Sequence, residues 1–308
     1  KCVFCMSGKG RDDGRAWSGI RRVRAEIAAR FAEGALSIGF LGGEPTVYPH
    51  IVECIRLAKS LGYRRIALCT NGVRLAQERF LDQALEAGLS RVTVSLHSAD
   101  SQIEESLVGV PGVFEKKLRA IKNLARVRDA GRLPDGLSLN PVLCRPNASG
   151  VSSYARFFSE LGISDIRFNF VWPQAQVEHD TAIVPRYREV IPHILNLTLQ
   201  NERTLKMTLS FGGVPYCVLP RLLQKRWAFL EKYFYEEALN LPTQVSFFSR
   251  DGKGVADRFD WHERSRNDFR AKTAACQGCR FDGVCMGVYK TYLALYGESE
   301  FGLGRKSG

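Results

Sequence analysis

The chain contains no run approaching the ~18 uninterrupted apolar residues that a membrane helix requires, so no membrane span is expected. It also lacks low-complexity segments and any internal repeat beyond a strand–helix unit. Gly8, Gly10 and Gly14 lack the strand-to-helix context of a dinucleotide fingerprint. Histidine is scarce, at 5 in 308 residues, and His50, His179, His193 and His262 have no partner at ligand spacing. No signal-peptide pattern opens the chain, which starts at Lys1-Cys2. The expectation is a cytoplasmic protein whose N-terminus is truncated. With 45% hydrophobic and 25% charged residues, composition excludes a disordered, collagenous or coiled-coil chain. The net charge of +12 is scattered along the sequence and points to an anionic partner: phosphate, nucleic acid or acidic peptide.

Nine cysteines, an odd number in a long chain, argue against a disulfide framework. Cys54, Cys69 and Cys144 lie within apolar segments and read as small core residues. Cys2, Cys5, Cys217, Cys276, Cys279 and Cys285 fall in or near close-spaced sets, as thiolates reserved for metal in a reducing compartment.

Between residues 35 and 171, β-like runs at 35–41, 65–70, 91–96, 137–143 and 165–171 alternate with amphipathic segments. The runs are nearly continuous in apolar and β-branched residues, as parallel strands covered on both faces should be. Ile51, Cys54, Ile55 and Ala58 share one helical face, as do Val151, Tyr154, Phe158 and Leu161. Gly62, Gly88 and Gly162 stand where helix C-caps belong. With one more strand before Cys2, the pattern predicts a parallel α/β sheet of about six strands, open or an incomplete barrel. Chemistry then belongs at the C-terminal strand ends. There stand Gly42-Gly43-Glu44-Pro45, Thr70-Asn71-Gly72 and Ser95-Leu96-His97-Ser98, with Asn140 and Asn169 inside the last two runs. Beyond Pro173 the alternation fades. Residues 186–200 read as helix, 205–210 as strand and 220–239 as aromatic helix, and 251–272 is rich in charge and glycine. A boundary near 205 divides the chain into 1–204 and 205–308.

Cys2-Val3-Phe4-Cys5 alone suits zinc, an iron–sulfur cluster or a redox dithiol. The loop-like 6–14 that follows is unlike the helix after a thioredoxin dithiol. Gly42-Gly43 at a strand end admits a ligand to the backbone, and Glu44 offers a carboxylate to an amino group while repelling phosphate. Cys276-x2-Cys279-x5-Cys285, with Cys217 about 60 residues upstream, forms a four-thiolate set for zinc or a [4Fe–4S] cluster. The second knuckle of a zinc ribbon is missing. His97, Arg145, Arg167 and Asn169 are the catalytic or substrate-binding candidates, and a salt bridge is the plain alternative for either arginine.

The cysteine pair, Phe4, Leu41-Gly42-Gly43-Glu44-Pro45-Thr46, Thr70-Asn71-Gly72, Val94-Ser95-Leu96 and the strand rhythm to Val171 together resemble the radical S-adenosylmethionine (SAM) superfamily. Its signature is C-x3-C-x2-C, in which Cys2 and Cys5 match the second and third cysteines; the first would fall three positions before Lys1. The resemblance implies a [4Fe–4S] cluster with one iron left for SAM, whose reductive cleavage releases a 5′-deoxyadenosyl radical. It implies that Gly42, Gly43 and Glu44 hold the methionine amino group, that Phe4 borders adenine, that Ser95 reaches the ribose or carboxylate, and that Asn71, Asn140 and Val171 line the site. Beside such a core, the second cysteine set resembles a twitch or shortened SPASM extension with one auxiliary [4Fe–4S] cluster, its fourth ligand being either Cys217 or, in an open site, the substrate.

The fold class expected is therefore an incomplete (βα)6 TIM-like barrel with a small cysteine-rich C-terminal domain. The function expected is hydrogen abstraction in peptide maturation, on a peptide or small anionic substrate, with flavodoxin or ferredoxin as electron donor. Rearrangement or oxidation of a nucleotide or aminocyclitol is the nearest alternative. An RNA-modifying enzyme and a zinc-bound, non-catalytic binding module are others; no RNA-binding domain is visible, so nucleic acid is not an expected partner.

Overall fold

The computed structural model describes residues 2–5, 19–234, 243–248 and 257–302. The loop expected over 6–14 therefore lies outside the described residues, as do 235–239 of the aromatic helix and 251–256 of the charged stretch.

A parallel sheet forms the centre: β1 (Ser37–Phe40), β2 (Arg65–Thr70), β3 (Arg91–Val94), β4 (Leu137–Leu139), β5 (Val142–Leu143), β6 (Asp165–Phe170) and β7 (Thr208–Gly212). The order is β1-β2-β3-β4-β6, with β5 and β7 also on β6. Leu139 opposes Ile166 and Val142 opposes Asn169, so β4 and β5 are two halves of one strand position. Asn140-Pro141 breaks it, since proline cannot donate to the ladder. Six positions result, in the α/β architecture of a partial TIM-like barrel, among the described residues.

Two expected bounds move. Residues 91–96 stop pairing at Val94, for reasons given below. The boundary near 205 assigns the next strand to the C-terminal part, but β7 pairs in parallel with β6 from Asp165↔Thr208 to Asn169↔Gly212. The sheet thus runs on to residue 212.

Period-2 alternation sorts the two faces. Ile66, Leu68, Val92, Val94, Leu139, Ile166, Phe168, Phe170, Leu209 and Phe211 are buried on the helix side. The expected face Ile51, Cys54, Ile55 and Ala58 is buried along α2 (Ile51–Leu61), which Gly62 ends at φ +106°. On α6 (Val151–Glu160), Val151, Tyr154 and Phe158 are buried and Leu161 is the C-cap. The other face of the sheet carries Arg65, Ala67, Cys69, Thr93, Ser138, Asp165, Arg167, Asn169 and Ser210. There Arg91 donates to Ser138 Oγ at 3.0 Å and to Asp165 at 2.8 Å. Strands covered on both faces by apolar groups were expected; the inner face is small and polar instead.

After β7 come a turn at Tyr216–Val218, short helices at Arg221–Gln224 and Trp227–Tyr233, and the hairpin β8 (Gln244–Phe247)/β9 (Asp257–Asp260). β10 (Arg270–Ala271) then pairs antiparallel with β11 (Val288–Tyr289), bracketing the Cys276–Cys285 loop. Aromatic contacts weld this part to the sheet. Trp172, just past β6, stacks on Tyr289 at 5.5 Å, and Tyr187 lies between Phe170 (4.3 Å) and Tyr292 (4.6 Å).

Candidate functional site

Cys2 and Cys5 close a turn in which the Cys5 N–H donates to the Cys2 carbonyl at 3.1 Å, and both thiols are free and part-exposed. The Val3 N–H donates to Leu107 O at 2.9 Å, docking the turn on α4 (Ser101–Val108). Phe4 is buried, its ring edge-on to His97 at 4.9 Å.

Just past β1, Gly42 stands at φ +133°, a conformation side chains rarely adopt. A Cβ built on Gly39, Gly42 or Gly43 meets nothing within 4 Å among the described residues. Glu44 is not a free carboxylate. Its Oε1 accepts from Thr46 N–H (3.0 Å), Thr46 Oγ1 (2.6 Å) and Thr70 Oγ1 (2.6 Å), and its Oε2 accepts from Asn71 N–H at 2.7 Å. It ties the end of β1 to the end of β2, and Oε2 keeps acceptor capacity.

The other expected contacts divide. Asn71 Oδ1 accepts from Val73 N–H at 2.8 Å, closing its own turn. Ser95 bonds Cys69, whose thiol is pushed up by burial, then by the Glu44 charge. Cys69, expected in the core, thus sits on the inner face beside Ser95. Asn169 donates to Asn140 Oδ1 at 2.6 Å, bringing these two candidates together on the inner face. Val171 is instead a core residue, 1% exposed. Burial drives the His97 imidazole down to about pKa 4, against the Glu104 charge. It is neutral, 5% exposed, and accepts from Val142 N–H. Arg145 pairs with Glu189 at 2.8 Å and Arg167 with Asp165 at 3.2 Å, the plain alternative for both.

The second set converges. Phe281, 3% exposed, packs on Tyr216 at 4.9 Å and so draws the Cys276–Cys285 loop onto the turn carrying Cys217. Cys217, Cys276, Cys279 and Cys285 then line one cavity, walled by Phe301 and Gly302. Burial pushes the Cys217 thiol up to about 12; Gly302 N–H opposes this, and the other three thiols add to it. Lys272 Nζ braces the loop by donating to the carbonyls of Asp282 (2.8 Å) and Cys285 (2.6 Å). Among the described residues, no three His, Cys, Asp or Glu side chains gather as around a single ion.

The radical SAM superfamily profile matches residues 1–132. The chain is 31% identical over 165 residues to the probable GTP 3′,8-cyclase of Sulfurisphaera tokodaii, covering 54% of this chain and 50% of that one. It is 29% identical over 208 residues to that of Saccharolobus islandicus, covering 66% and 63%. The chain thus spans about half the length of the first of these relatives. Among solved structures, Streptococcus suis SuiB bound to precursor peptide SuiA superposes with TM-score 0.60 at 19% identity, covering 100% of this chain and 72% of that chain. Native anSMEcpe with bound AdoMet and Kp18Cys peptide gives 0.53 at 18%, covering 67% and 57%. These likenesses concern the fold.

Proposed function

On the premise that residues 1–132 are a radical SAM domain and that the chain is an enzyme of that superfamily, we propose that it cleaves SAM reductively and takes a hydrogen atom from a peptide, with one auxiliary [4Fe–4S] cluster assisting the bond that follows. The superfamily implies the SAM-binding cluster and SAM, and the residues fit both: two free, part-exposed thiols stand on a docked turn, and the end of β1 offers a glycine backbone that no described residue crowds. When bound, the reduced cluster supplies the electron that splits SAM into methionine and the 5′-deoxyadenosyl radical. Cys2 and Cys5 hold iron. The Gly42-Gly43 backbone and the spare Glu44 Oε2 lone pair take the SAM amino group, while Thr46, Thr70 and Asn71 keep that carboxylate aimed. Ser95 serves the ribose or carboxylate, and the Asn140–Asn169 pair lines the space where substrate meets SAM.

The observation that carries the auxiliary cluster is the meeting of Cys217 with three cysteines about 60 residues downstream around one cavity. Zinc gathers its thiolates within ~2.3 Å of one point, and no such gathering exists among the described residues. A four-iron cluster spreads its thiolates over a cube and suits a lined cavity better. Flavodoxin or ferredoxin would supply the first site's electron, and a cluster held by Cys217, Cys276, Cys279 and Cys285 would supply an acceptor for the electron the substrate gives up. The zinc-bound, non-catalytic reading falls with the superfamily match.

For the substrate, the cyclase relatives favour a nucleotide and the peptide-bound neighbours a peptide. We favour the peptide because the inner face presents mainly neutral groups: Ala67, Thr93, Ser138, Asn140, Asn169 and Ser210. Among the described residues, two of its three arginines, Arg91 and Arg167, bond Asp165, and the third, Arg65, starts β2 at the end away from Asn71 and Gly72. A triphosphate calls for uncommitted cations. The test is anaerobic reconstitution of the full-length protein with dithionite and SAM. Expected are about eight iron per chain and release of 5′-deoxyadenosine, accelerated by a precursor peptide from a neighbouring gene and not by GTP. Acceleration by GTP would favour the nucleotide reading, and absence of 5′-deoxyadenosine from fully loaded protein would refute both.

A further inference from the structure

Behind the first cysteine turn lies a buried ion pair with no part in the roles assigned so far. Glu104 on α4 is 0% exposed and Lys117 on α5 (Val113–Asp129) is 2% exposed, and they meet at 2.6 Å. Glu104 Oε2 also accepts from the backbone N–H groups of His97 (2.6 Å) and Ser98 (3.0 Å), and Lys117 Nζ donates to the Ser95 carbonyl at 2.9 Å. Tyr154 Oη holds Leu96 O at 2.8 Å, and Asn147 Nδ2 holds His97 O at 2.7 Å. Every residue from Ser95 to Ser98 is therefore fixed through its backbone by a buried side chain. That captured turn carries the His97 ring against which Phe4 packs.

We propose that the Glu104–Lys117 pair is a positioning pair for the first cluster: it holds the turn after β3 against the Cys2–Cys5 loop and so sets the reduction potential of the iron held there. This rests on the reading that Cys2 and Cys5 hold that cluster. Desolvating two charges is costly, and apolar side chains of similar size often serve stability as well, so packing alone gives little reason for charge here. Cluster potentials follow the charges and hydrogen bonds around them, and a cation stabilises the more negative, reduced form. Glu104 stands one helical turn before Leu107, whose carbonyl takes the Val3 N–H of the cysteine turn, so the pair lies directly behind that turn.

The test is an anaerobic redox titration, followed by EPR, of the reconstituted full-length protein as wild type, Lys117→Arg, Lys117→Met and the double variant Lys117→Met/Glu104→Gln. Lys117→Arg should keep the wild-type midpoint. Both variants lacking the ion pair should shift away from that midpoint with the cluster still bound. Equal midpoints across loaded variants overturn the proposal, as does an arginine variant that shifts as far as the methionine one. If Lys117→Met takes up no iron, the double variant, which leaves no unpaired charge, decides by the same rule. If neither neutral variant loads, a Lys117→Arg midpoint unlike the wild type's overturns the proposal and an unchanged one upholds it. Wild-type protein that binds no iron through Cys2 and Cys5 would instead overturn the underlying cluster reading, and this proposal with it.

Discussion

Cys2 and Cys5 sit on a short turn packed on α4 and on the turn after β3, whereas Cys217, Cys276, Cys279 and Cys285 line a cavity assembled from turns and two-residue strands. The first centre is open by its proposed ligands: its cysteines leave the Gly42-Gly43 backbone and a Glu44 with spare acceptor capacity to a cosubstrate. The second is closed by its proposed ligands, with four part-exposed thiols, a backbone N–H bonded to Cys217, and walls of Phe281, Phe301 and Gly302. Openness suits a site that must admit and release a cosubstrate. Closure suits one that stores or passes an electron. The sharpest attempt to break this contrast is a pair of variants. Cys5→Ala should reduce 5′-deoxyadenosine release to background while leaving the second cluster's iron. Cys279→Ala should lose about half the iron, still cleave SAM and form no product. Iron counting and chromatography of the nucleoside check both; loss of all iron from Cys279→Ala would mean that the two centres are not separate.

Phe281→Ala sharpens the same contrast through stability. Phe281 is the anchor that brings the cysteine loop to Cys217, and removing a buried phenylalanine costs about 3–5 kcal/mol. Because β10 and β11 pair over only two residues each, that loss should fall on the loop rather than the sheet. Hydrogen exchange should speed up across 272–289 with β2 and β3 unchanged. Uniform acceleration would indicate one cooperative unit.

Much of this division was legible in the sequence. The run 65–70 became β2 without adjustment, and the helical face at Ile51, Cys54, Ile55 and Ala58 is the buried one. That Cys276, Cys279 and Cys285 share one cavity was readable from spacing, because cysteines brought together by a tight loop are close in sequence. What stayed hidden is what acts through long-range side chains. The strand ending at Val94 looked longer, because nothing local says that Lys117, Tyr154, Glu104 and Asn147 will capture the backbone of 95–98. Glu104 and Lys117 themselves look like solvated charges on amphipathic helices. Cys69 was legible in hindsight: in Arg-Ile-Ala-Leu-Cys-Thr the buried Ile66, Leu68 and Thr70 occupy one face, which turns Cys69 to the other.

Glu44 is where the open centre is most exposed to a single change. Glu44→Ala removes an acceptor from four donors and the amino-group contact proposed for it; losing one charge-assisted hydrogen bond is worth about tenfold in affinity. SAM binding measured by anaerobic calorimetry should weaken by about that factor, and by less in Thr70→Val, which keeps the carboxylate. The second cluster's EPR signal should be untouched by either. Wild-type affinity in Glu44→Ala would assign the amino group to the glycine backbone alone.

The gentlest probe asks whether the two regions are mechanically one. The β8/β9 hairpin of the C-terminal part is tied to α1 (Ile20–Ala32) by Arg258, which forks onto Glu26 at 2.7 and 2.9 Å, and by Ser246 Oγ at 2.6 Å. Burial pushes the Glu26 carboxyl up, but the bonds from Arg258, Ser246 and Arg30 outweigh it and hold its pKa at about 2 against an ordinary 4.5. A carboxyl depressed in the folded state contributes stability above its unfolded pKa and loses it as pH falls through the folded one. The tether should therefore be intact above about pH 4.5 and weaken progressively down to about 2. Hydrogen exchange in 244–248 and 257–260, corrected for intrinsic rates, should rise over that window in wild type and be raised and flat in Glu26→Gln. If both proteins behave alike, the hairpin is held by its other contacts and the tether joins the two regions in geometry only.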